Sequence, residues 1–313
     1  MTSTAKNFGY LPKEQRTVDT QYRNLIQNIL SSGEDHTPIH GDPSKRLIGY
    51  PMRFKRSNGL PAIAARDLEK YNLIKGAIGE NIAFMNGART LEQLEQYGCP
   101  KSFWEKWVTE EKCSVFGLPA GDLGPGSYGP AWAAFPKPDG GTFHQILNMV
   151  RLMKERPILR TIKAVPWIPY YTASGDPENP RAVVVAPCHG WIQVHINTGN
   201  NTFKLTHNQR SADSPVGLQF NLIQYFCMGL MFERVTGIIF DELVYYIEDA
   251  HIYEMQLTHA QRLVDTDTEF PHVFPEIHFT EDAPTEDILA FRPEHFIVKD
   301  YVANPWFKIP TPI

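Results

Sequence analysis

The sequence has few cysteines, no long apolar run and no excess of positive charge. Its 313 residues include four cysteines, which are Cys99, Cys113, Cys188 and Cys227. Their spacing matches no metal site, and a chain of this length needs no disulfides to build a core. We therefore expect free thiols, a reducing cytoplasmic location and no bound metal.

Two further absences bear on the partners of the chain. The first fifteen residues contain no apolar core of a signal peptide, and no segment approaches the roughly 18 apolar residues of a membrane span. The formal net charge is -5, so nothing indicates a surface that binds nucleic acid through bulk positive charge. We expect neither a membrane nor a nucleic acid as partner, although a few local arginines can still bind a small anion.

The composition is that of a globular protein, with 42% hydrophobic and 21% charged residues, so a sizeable core is expected. We predict a polar N-terminal extension over residues 1–20 and one α+β domain over residues 21–313, with helices on one side of a sheet. Apolar spacing predicts helices over 22–30, 68–85, 143–155 and 220–237, and strands over 47–54, 182–186, 191–196 and 202–206.

The sharpest local feature is the sequence Ala186-Pro187-Cys188-His189. Proline cannot donate to a strand ladder, so it should end the strand over 182–186 and present the thiol at a junction between two strands. Taken alone, a cysteine beside a proline is more often a buried structural thiol. His189 should point away from the thiol, which argues against a role as its base.

Two other polar motifs follow along the chain. Arg210 lies in a polar segment, Gln209 to Asp213, directly after the strand over 202–206, and an arginine near a thiol stabilises the thiolate. The simpler interpretation of this segment is a surface turn with a salt bridge. His251 and Tyr253 would share one face of a strand and could hold a single hydroxyl group, although cross-strand packing is the commoner reason for such a pair.

These motifs, in this order, resemble those of the thymidylate synthase family. The family's PCH, QRS-x-D, G-L-x-F-N and H-x-Y segments correspond here to Pro187–His189, Gln209–Asp213, Gly217–Asn221 and His251–Tyr253. Glu80, Trp104, Trp107, Tyr128 and the tail over 309–313 also match, so the resemblance runs from about residue 20 to the end. It implies an α+β, thymidylate synthase-like fold whose mixed sheet forms a homodimer interface, with helices packed on the other face.

The resemblance also implies a role for each matching residue. Cys188 would attack C6 of a pyrimidine nucleotide, Arg210 would support the thiolate and contact phosphate, and Glu80 would organise water and proton transfers. Tyr128 would assist proton removal from C5, and Asp213 would contact the pterin ring of 5,10-methylenetetrahydrofolate, the co-substrate. The implied nucleotide-binding residues are Arg160, Gln209, Ser211, Asn221, His251 and Tyr253. The implied folate-binding residues are Trp104, Trp107, Asp213, Gly217 and Phe220.

Several positions depart from the family's pattern. Ile39 and Thr161 stand where two of four phosphate-binding arginines are expected, while Arg160 and Arg210 remain. Ala83 replaces a usual tryptophan and Gln219 a usual proline. Lys45, Arg46 or Lys163 are the candidates to compensate for the lost charges, and we expect a specialised member of the family.

Three functions stay open at this point. Methylation of dUMP is favoured, because Asn221 suits uracil, Ser211 resembles members that act on deoxynucleotides, and Trp104 with the C-terminal tail would exclude water. The alternative is a hydroxymethylase acting on dUMP, dCMP or CMP, in which water replaces the final hydride. A catalytically silent homologue that binds a nucleotide or RNA is a third interpretation, although Cys188 and Glu80 are both retained.

Overall fold

The structure is a computed structural model, which describes residues 9–38, 42–173, 175–176 and 179–312. Its α-helices are α1 (Gln21–Ser32), α2 (Leu73–Met85), α3 (Leu91–Gln96), α4 (Glu110–Ser114), α5 (Tyr128–Ala133), α6 (Gln145–Glu155), α7 (Pro169–Thr172), α8 (Gly217–Thr236) and α9 (Leu257–Glu269). The helices predicted over 22–30, 143–155 and 220–237 are confirmed as α1, α6 and α8.

The strands are β1 (Glu34–His36), β2 (Ser44–Lys55), β3 (Phe135–Pro136), β4 (Thr142–Phe143), β5 (Lys163–Ala164), β6 (Gly175–Asp176), β7 (Asn179–Pro180), β8 (Trp191–Asn197), β9 (Thr202–Asp213), β10 (Ile239–Tyr253), β11 (Glu276–Phe279) and β12 (Phe296–Lys299). Six of them form one sheet in the order β1-β2-β10-β9-β8-β5. The β9–β10 pair is parallel and the other neighbours are antiparallel, so the fold is α+β with a mixed sheet, as expected.

One face of this sheet is covered by helices. α1 packs against β2 and β10, α8 packs against β9 and β10, and α2 lies against α8. Along β10 the side chains of Tyr245 and Ile247 are fully buried, whereas Tyr246 between them is 41% exposed. Successive side chains of the strand therefore alternate between the two faces of the sheet. The hydrophobic core lies on the face that the helices cover, and the opposite face is open.

Helix α8 is apolar around most of its circumference because it lies between the sheet and α2. It is the buried helix that the sequence predicts, and it ends at Gly237, whose φ of 72° is the left-handed conformation common after a helix. No helix in the described part of the chain is both long enough and apolar enough to span a membrane.

The predicted strand over 182–186 is wrong. This segment is an irregular loop, because its backbone groups bond to other loops and to a side chain: the Arg181 guanidinium donates to the carbonyl oxygens of Val183 at 2.9 Å and Val184 at 2.7 Å. Pro187 therefore ends no strand, and Cys188 lies in a loop before β8 rather than at a junction of two strands.

Two predicted boundaries also need correction. β9 continues beyond residue 206 to Asp213, because its parallel ladder with β10 persists as far as the Asp213–His251 pair, so the polar segment lies within the strand rather than in a turn after it. α2 begins at Leu73 rather than at residue 68, since Asn72 takes a left-handed φ of 55° immediately before it.

Candidate active site

Cys188 is held in its loop by backbone bonds on both sides. The Cys188 N–H donates to the hydroxyl of Tyr128, the first residue of α5, at 2.7 Å, and the Cys188 carbonyl accepts from the backbone N–H of Arg210 in β9 at 2.9 Å. The side chain is half-buried, so the sulfur is fixed against the sheet without being sealed from solvent.

The Arg210 side chain fixes the same loop. Its Nε donates to the Pro187 carbonyl and its Nη2 to the Ala186 carbonyl, each at 2.8 Å, and Nη2 also lies 3.3 Å from Cys188 Sγ. A guanidinium at this distance stabilises negative charge on the sulfur by Coulomb attraction. The sequence-predicted pairing of Arg210 with the thiol is therefore present in the structure.

The residues after Cys188 form a packed support beneath it. His189 Nδ1 lies 2.6 Å from the Tyr225 hydroxyl, and burial lowers the pKa of His189 to about 3, so its ring is neutral at physiological pH. Gly190 adopts a φ of 102°, and a Cβ there would lie 2.9 Å from the Trp132 ring. Glycine is therefore required at this position for the loop to pack on Trp132.

Glu80 projects from α2 into a buried position, where it is 7% exposed. One carboxylate oxygen accepts from Trp104 Nε1 and the other from Gln224 Nε2. Burial raises the pKa of Glu80 to about 7, and the two donated bonds offset only part of that effect. The carboxyl group is thus able to gain or lose a proton near neutral pH.

A chain of amide side chains links Glu80 to Asn221. Gln224 Oε1 accepts from Asn221 Nδ2 at 2.9 Å, and Asn221 Oδ1 accepts from Gln209 Nε2 at 3.0 Å. The Tyr245 hydroxyl then donates to Gln209 Oε1. These groups come from α2, α8, β9 and β10, so the network ties the helices to the sheet beside Cys188.

A third group lies where β9 and β10 end. Asp213 Oδ2 accepts from Gln256 Nε2 at 3.0 Å, and burial raises the pKa of the Asp213 carboxyl. The rings of His251 and Tyr253 lie 4.9 Å apart on one face of β10, as predicted. Burial, with the negative charges of Asp213 and Cys188 nearby, raises the pKa of Tyr253 to about 12.

The charges that act on two tyrosines show that the three groups are neighbours, and those of Cys188 and Asp213 both act on Tyr253. Burial raises the pKa of Tyr128 well above 10, and the charges on Cys188, Arg210 and Glu80 all act on it in addition. Tyr128 lies stacked against Phe84, with ring centroids 4.6 Å apart, beside Trp104. The structure therefore brings together most of the sequence-predicted residues in one region between the sheet and α2.

Hydrogen bonds hold the C-terminal tail close to Asp213 and Trp107, two of the expected folate-binding residues. Gln256 Nε2, which bonds Asp213, also donates to the Pro310 carbonyl at 2.9 Å, and Lys106 Nζ donates to Thr311 Oγ1 at 3.1 Å. Trp107, next to Lys106 in the sequence, is half-buried, and Phe220 packs on Phe103 with ring centroids 5.3 Å apart. Gly217 begins α8, and a Cβ there would meet open space.

Arg210 lies beside Cys188, but the other positions expected to bind phosphate are not gathered there. Arg160 and Thr161 lie in an exposed segment before the edge strand β5, where the Arg160 carbonyl accepts from Gln193 Nε2 at 2.8 Å. Ser211 is half-buried in β9, and Ile39 lies outside the described residues.

A cavity of about 560 Å³ lies elsewhere, between β11 and the C-terminal half of α8. Four of its charged side chains bond one another: Arg56 Nη2 lies 3.2 Å from Glu233 Oε1, and His278 Nε2 lies 2.6 Å from Glu276 Oε2. Because these charges are already neutralised within the cavity, and because it contains none of the residues around Cys188, we place the candidate site at Cys188.

Gln224 and Tyr245 are two members of the site that the sequence did not single out. Gln224 is a polar residue in the most apolar helix of the chain, three positions after Asn221, which places both on one helical face. A polar residue in an apolar helix, on the same face as Asn221, was the sequence feature that could have identified Gln224. Tyr245 offered no such signal, because tyrosine is common in strands.

A family model described as thymidylate synthase matches residues 20–313. The chain belongs to the thymidylate synthase family. The resemblance seen in the sequence is thus confirmed over the same span, and the six-stranded mixed sheet with its covering helices is consistent with the family's fold.

Membership implies a folate-dependent one-carbon transfer to C5 of a pyrimidine, as methylation or hydroxymethylation, with methylenetetrahydrofolate as the carbon source. The residues around Asp213 suit a folate. A half-buried carboxylate such as Asp213 can accept hydrogen bonds from the N–H groups of a pterin, and half-buried aromatic side chains such as Trp107 and Phe220 offer flat apolar surface to its rings.

The raised pKa of Glu80 predicts a pH-dependent stability. Its ordinary pKa is 4.5 and its value in the fold is about 7, so the stability that the protonated form contributes is lost as the pH rises through this interval. From pH 5 to pH 8, urea denaturation should show the unfolding free energy falling by about 3 kcal/mol more in the unaltered protein than in Glu80→Gln.

The matched control is Glu110→Gln, at the exposed start of α4, which should follow the pH dependence of the unaltered protein. If Glu80→Gln also follows it, Glu80 is not a desolvated carboxyl group in the fold.

Proposed function

We propose that the protein methylates dUMP at C5 and uses Cys188 as a covalent nucleophile. The observation that carries the proposal is the half-buried thiol held 3.3 Å from the Arg210 guanidinium, next to the buried network of Glu80 and Asn221. A structural thiol needs neither a cation at its sulfur nor a titratable carboxyl beside it. This combination is what nucleophilic addition to a pyrimidine requires.

In the first step, Cys188 Sγ adds to C6 of the uracil ring. The electron pair of the C5=C6 bond moves towards C5 and O4, so C5 becomes a carbon nucleophile and O4 gains negative charge. Arg210 stabilises the thiolate before the addition. An N–H of Asn221 directed at O4 would stabilise the developing charge there, since preorganised donors act strongly in a site with little water.

Glu80 is the group that moves protons near the base. A general acid–base group is most effective when its pKa lies near the working pH, and burial places the pKa of Glu80 at about 7. Tyr128 remains protonated because its pKa is raised well above 10. It therefore assists removal of the C5 proton as a hydrogen-bonding hydroxyl, through water, and not as a phenolate.

Asp213, Trp107, Phe220, Gly217 and Trp104 would hold the folate. When bound, methylenetetrahydrofolate supplies the one-carbon unit and, for methylation, the hydride. Asp213 would orient the pterin through its carboxylate.

The sugar and phosphate would be bound by separate groups. His251 and Tyr253 would hold the 3′-hydroxyl from one face of β10, and Gln209 and Ser211 would support the nucleotide from β9. Arg210 and an Arg160 contributed by a second copy would bind the phosphate.

Exclusion of water favours methylation over hydroxymethylation. The C-terminal tail is bonded to Gln256 and Lys106 at Pro310 and Thr311, so it covers the Asp213 side of the site. Ala83, which stands where the family usually has tryptophan, is fully buried, so the smaller side chain opens no path to solvent in the structure. Both observations support a closed site that keeps water from the transferred carbon.

The open face of the sheet is the proposed dimer interface. Ile48 is 62% exposed and Tyr246 is 41% exposed on this face, so a second copy that packs there would remove their apolar surface from water. Arg160 lies next to the edge strand β5 of the same sheet, where it would reach the site of the second copy. We propose that residues 21–313 form the single catalytic domain of each subunit.

Release of tritium from C5 tests the covalent mechanism. With methylenetetrahydrofolate, the unaltered protein should release tritium from dUMP labelled at C5, and Cys188→Ala should reduce the rate by at least about a thousandfold, because no addition to C6 can occur. Cys113→Ala, which removes a buried thiol bonded to the Asp122 carbonyl, should retain release. Release that survives in a folded Cys188→Ala variant would reject the proposed nucleophile, and no release by the unaltered protein would favour the catalytically silent homologue.

The folate product separates the two one-carbon reactions. Methylation predicts one dihydrofolate, followed by absorbance, for each methylated pyrimidine found by mass spectrometry, because the hydride comes from the folate. Turnover to a hydroxymethyl product without dihydrofolate would reject methylation and establish the hydroxymethylase.

Light scattering tests the dimer. The unaltered chain should have the mass of a dimer, and Ile48→Lys should weaken association by about a hundredfold, because it places a charge in an apolar interface. Val115→Lys, at a residue that is 73% exposed beyond α4, is the matched control and should remain dimeric. A monomeric unaltered protein at micromolar concentration would contradict the proposed interface.

A further inference from the structure

The direction of the hydrogen bonds around Asn221 is fixed at one end by Glu80. An ionised carboxylate can only accept hydrogen bonds, so Gln224 must turn its Nε2 group towards Glu80. The Gln224 Oε1 atom then necessarily points the other way, where it accepts from Asn221 Nδ2 at 2.9 Å.

The other end of the chain is fixed in the same sense. Gln209 Nε2 donates to the Ser211 backbone carbonyl and to Asn221 Oδ1, each at 3.0 Å. A backbone carbonyl also only accepts, so the Gln209 amide cannot reverse without losing this bond. Asn221 is therefore held from both sides with its oxygen towards Gln209 and its nitrogen towards Gln224.

This fixed amide has one N–H and one acceptor site left over, since a primary amide offers two donors and at least two acceptor positions. Asn221 is 7% exposed, so these remaining groups are the ones available to a ligand. Uracil presents an acceptor at O4 and a donor at N3, whereas cytosine presents a donor at N4 and an acceptor at N3. The two bases therefore require opposite orientations of the same amide.

We infer that Gln224 is a positioning residue that makes the site select uracil over cytosine by preventing the Asn221 amide from reversing. Reversal would set Asn221 Oδ1 against Gln224 Oε1 and Asn221 Nδ2 against Gln209 Nε2, leaving buried polar groups without partners. Gln224 acts through Asn221 and need not touch the base. The inference rests on the proposed function, since it requires a pyrimidine to bind at Asn221.

The test is the ratio of the dissociation constants for dCMP and dUMP, measured by calorimetry at pH 8, where Glu80 is ionised. Gln224→Met keeps the length of the side chain but removes both polar ends, and the ratio should fall by at least about tenfold. Glu80→Gln replaces the acceptor-only end with a group that also donates, and the ratio should fall in the same direction. In the double variant the ratio should fall no further than in the more affected single variant, because both substitutions act on one chain of hydrogen bonds.

The matched control is Ile223→Val, which trims a fully buried side chain adjacent to Gln224 on α8 and should leave the ratio unchanged. A merely structural role for Gln224 would weaken both nucleotides equally and leave the ratio unaltered.

Three results overturn the inference alone. The first is an unchanged ratio in a Gln224→Met variant whose near-ultraviolet circular dichroism shows that it is folded. If that variant does not fold, an unchanged ratio in the nearly isosteric Glu80→Gln variant overturns the inference instead. Additive effects in the double variant are the second. Equal affinity of the unaltered protein for both nucleotides is the third, and it leaves the proposed chemistry intact if tritium is still released from dUMP. Failure to bind either nucleotide overturns the proposed function together with the inference.

Discussion

The geometry around Cys188 depends on the Arg210 guanidinium. The loop over residues 182–190 has no strand ladder to fix it, so bonds from the Arg210 side chain to the carbonyls of Ala186 and Pro187 add to the backbone bonds of Cys188 in holding it on the sheet. The same cation lies 3.3 Å from Cys188 Sγ. One residue thus positions the thiol and stabilises its negative charge, whereas an apolar residue could only have packed against the loop.

The buried carboxyl of Glu80 is the complementary feature. Apart from Lys75, α2 is otherwise buried and uncharged, and a carboxylate in such a helix is unfavourable unless donors compensate for the lost water. Trp104 and Gln224 provide two donors, yet burial still raises the pKa of Glu80 to about 7. Because the two hydrogen bonds do not fully replace the lost water, Glu80 holds its proton up to about neutral pH. The same incomplete solvation therefore destabilises the ionised carboxylate in the fold and suits Glu80 to the proposed proton transfer.

Prediction from the sequence succeeded where the signal was local. α1, α6, α8 and β8 followed from apolar periodicity, and the contact between Arg210 and the Cys188 thiol followed from contiguous motifs. The loop over 182–186 was predicted as a strand because consecutive valines match a strand equally well. Its backbone bonds to other loops and to the Arg181 side chain decide otherwise.

The parts that could not be predicted depend on contacts distant in the sequence. The polar end of β9 looks like a turn until its pairing with β10 is known. Gln224 looks like an interruption of an apolar helix until its partner Glu80, 144 residues earlier, is placed beside it. The role of a buried polar side chain is set by its hydrogen-bond partner, and a single sequence does not state that partner.

The use of Arg210 also constrains how an anionic substrate can bind. Within the described residues, Nε and Nη2 of Arg210 bond the loop carbonyls and contact the Cys188 sulfur. Nη1 is then the nitrogen that can turn towards a phosphate. Thr161 carries no charge, and Arg160 lies at the exposed edge of the sheet, so in the proposed dimer much of the anion binding comes from the second copy. A nucleotide that contacts both copies binds the dimer more tightly than the single chain, and it must therefore stabilise the dimer by the same factor. Substrate affinity and association are then two aspects of one equilibrium.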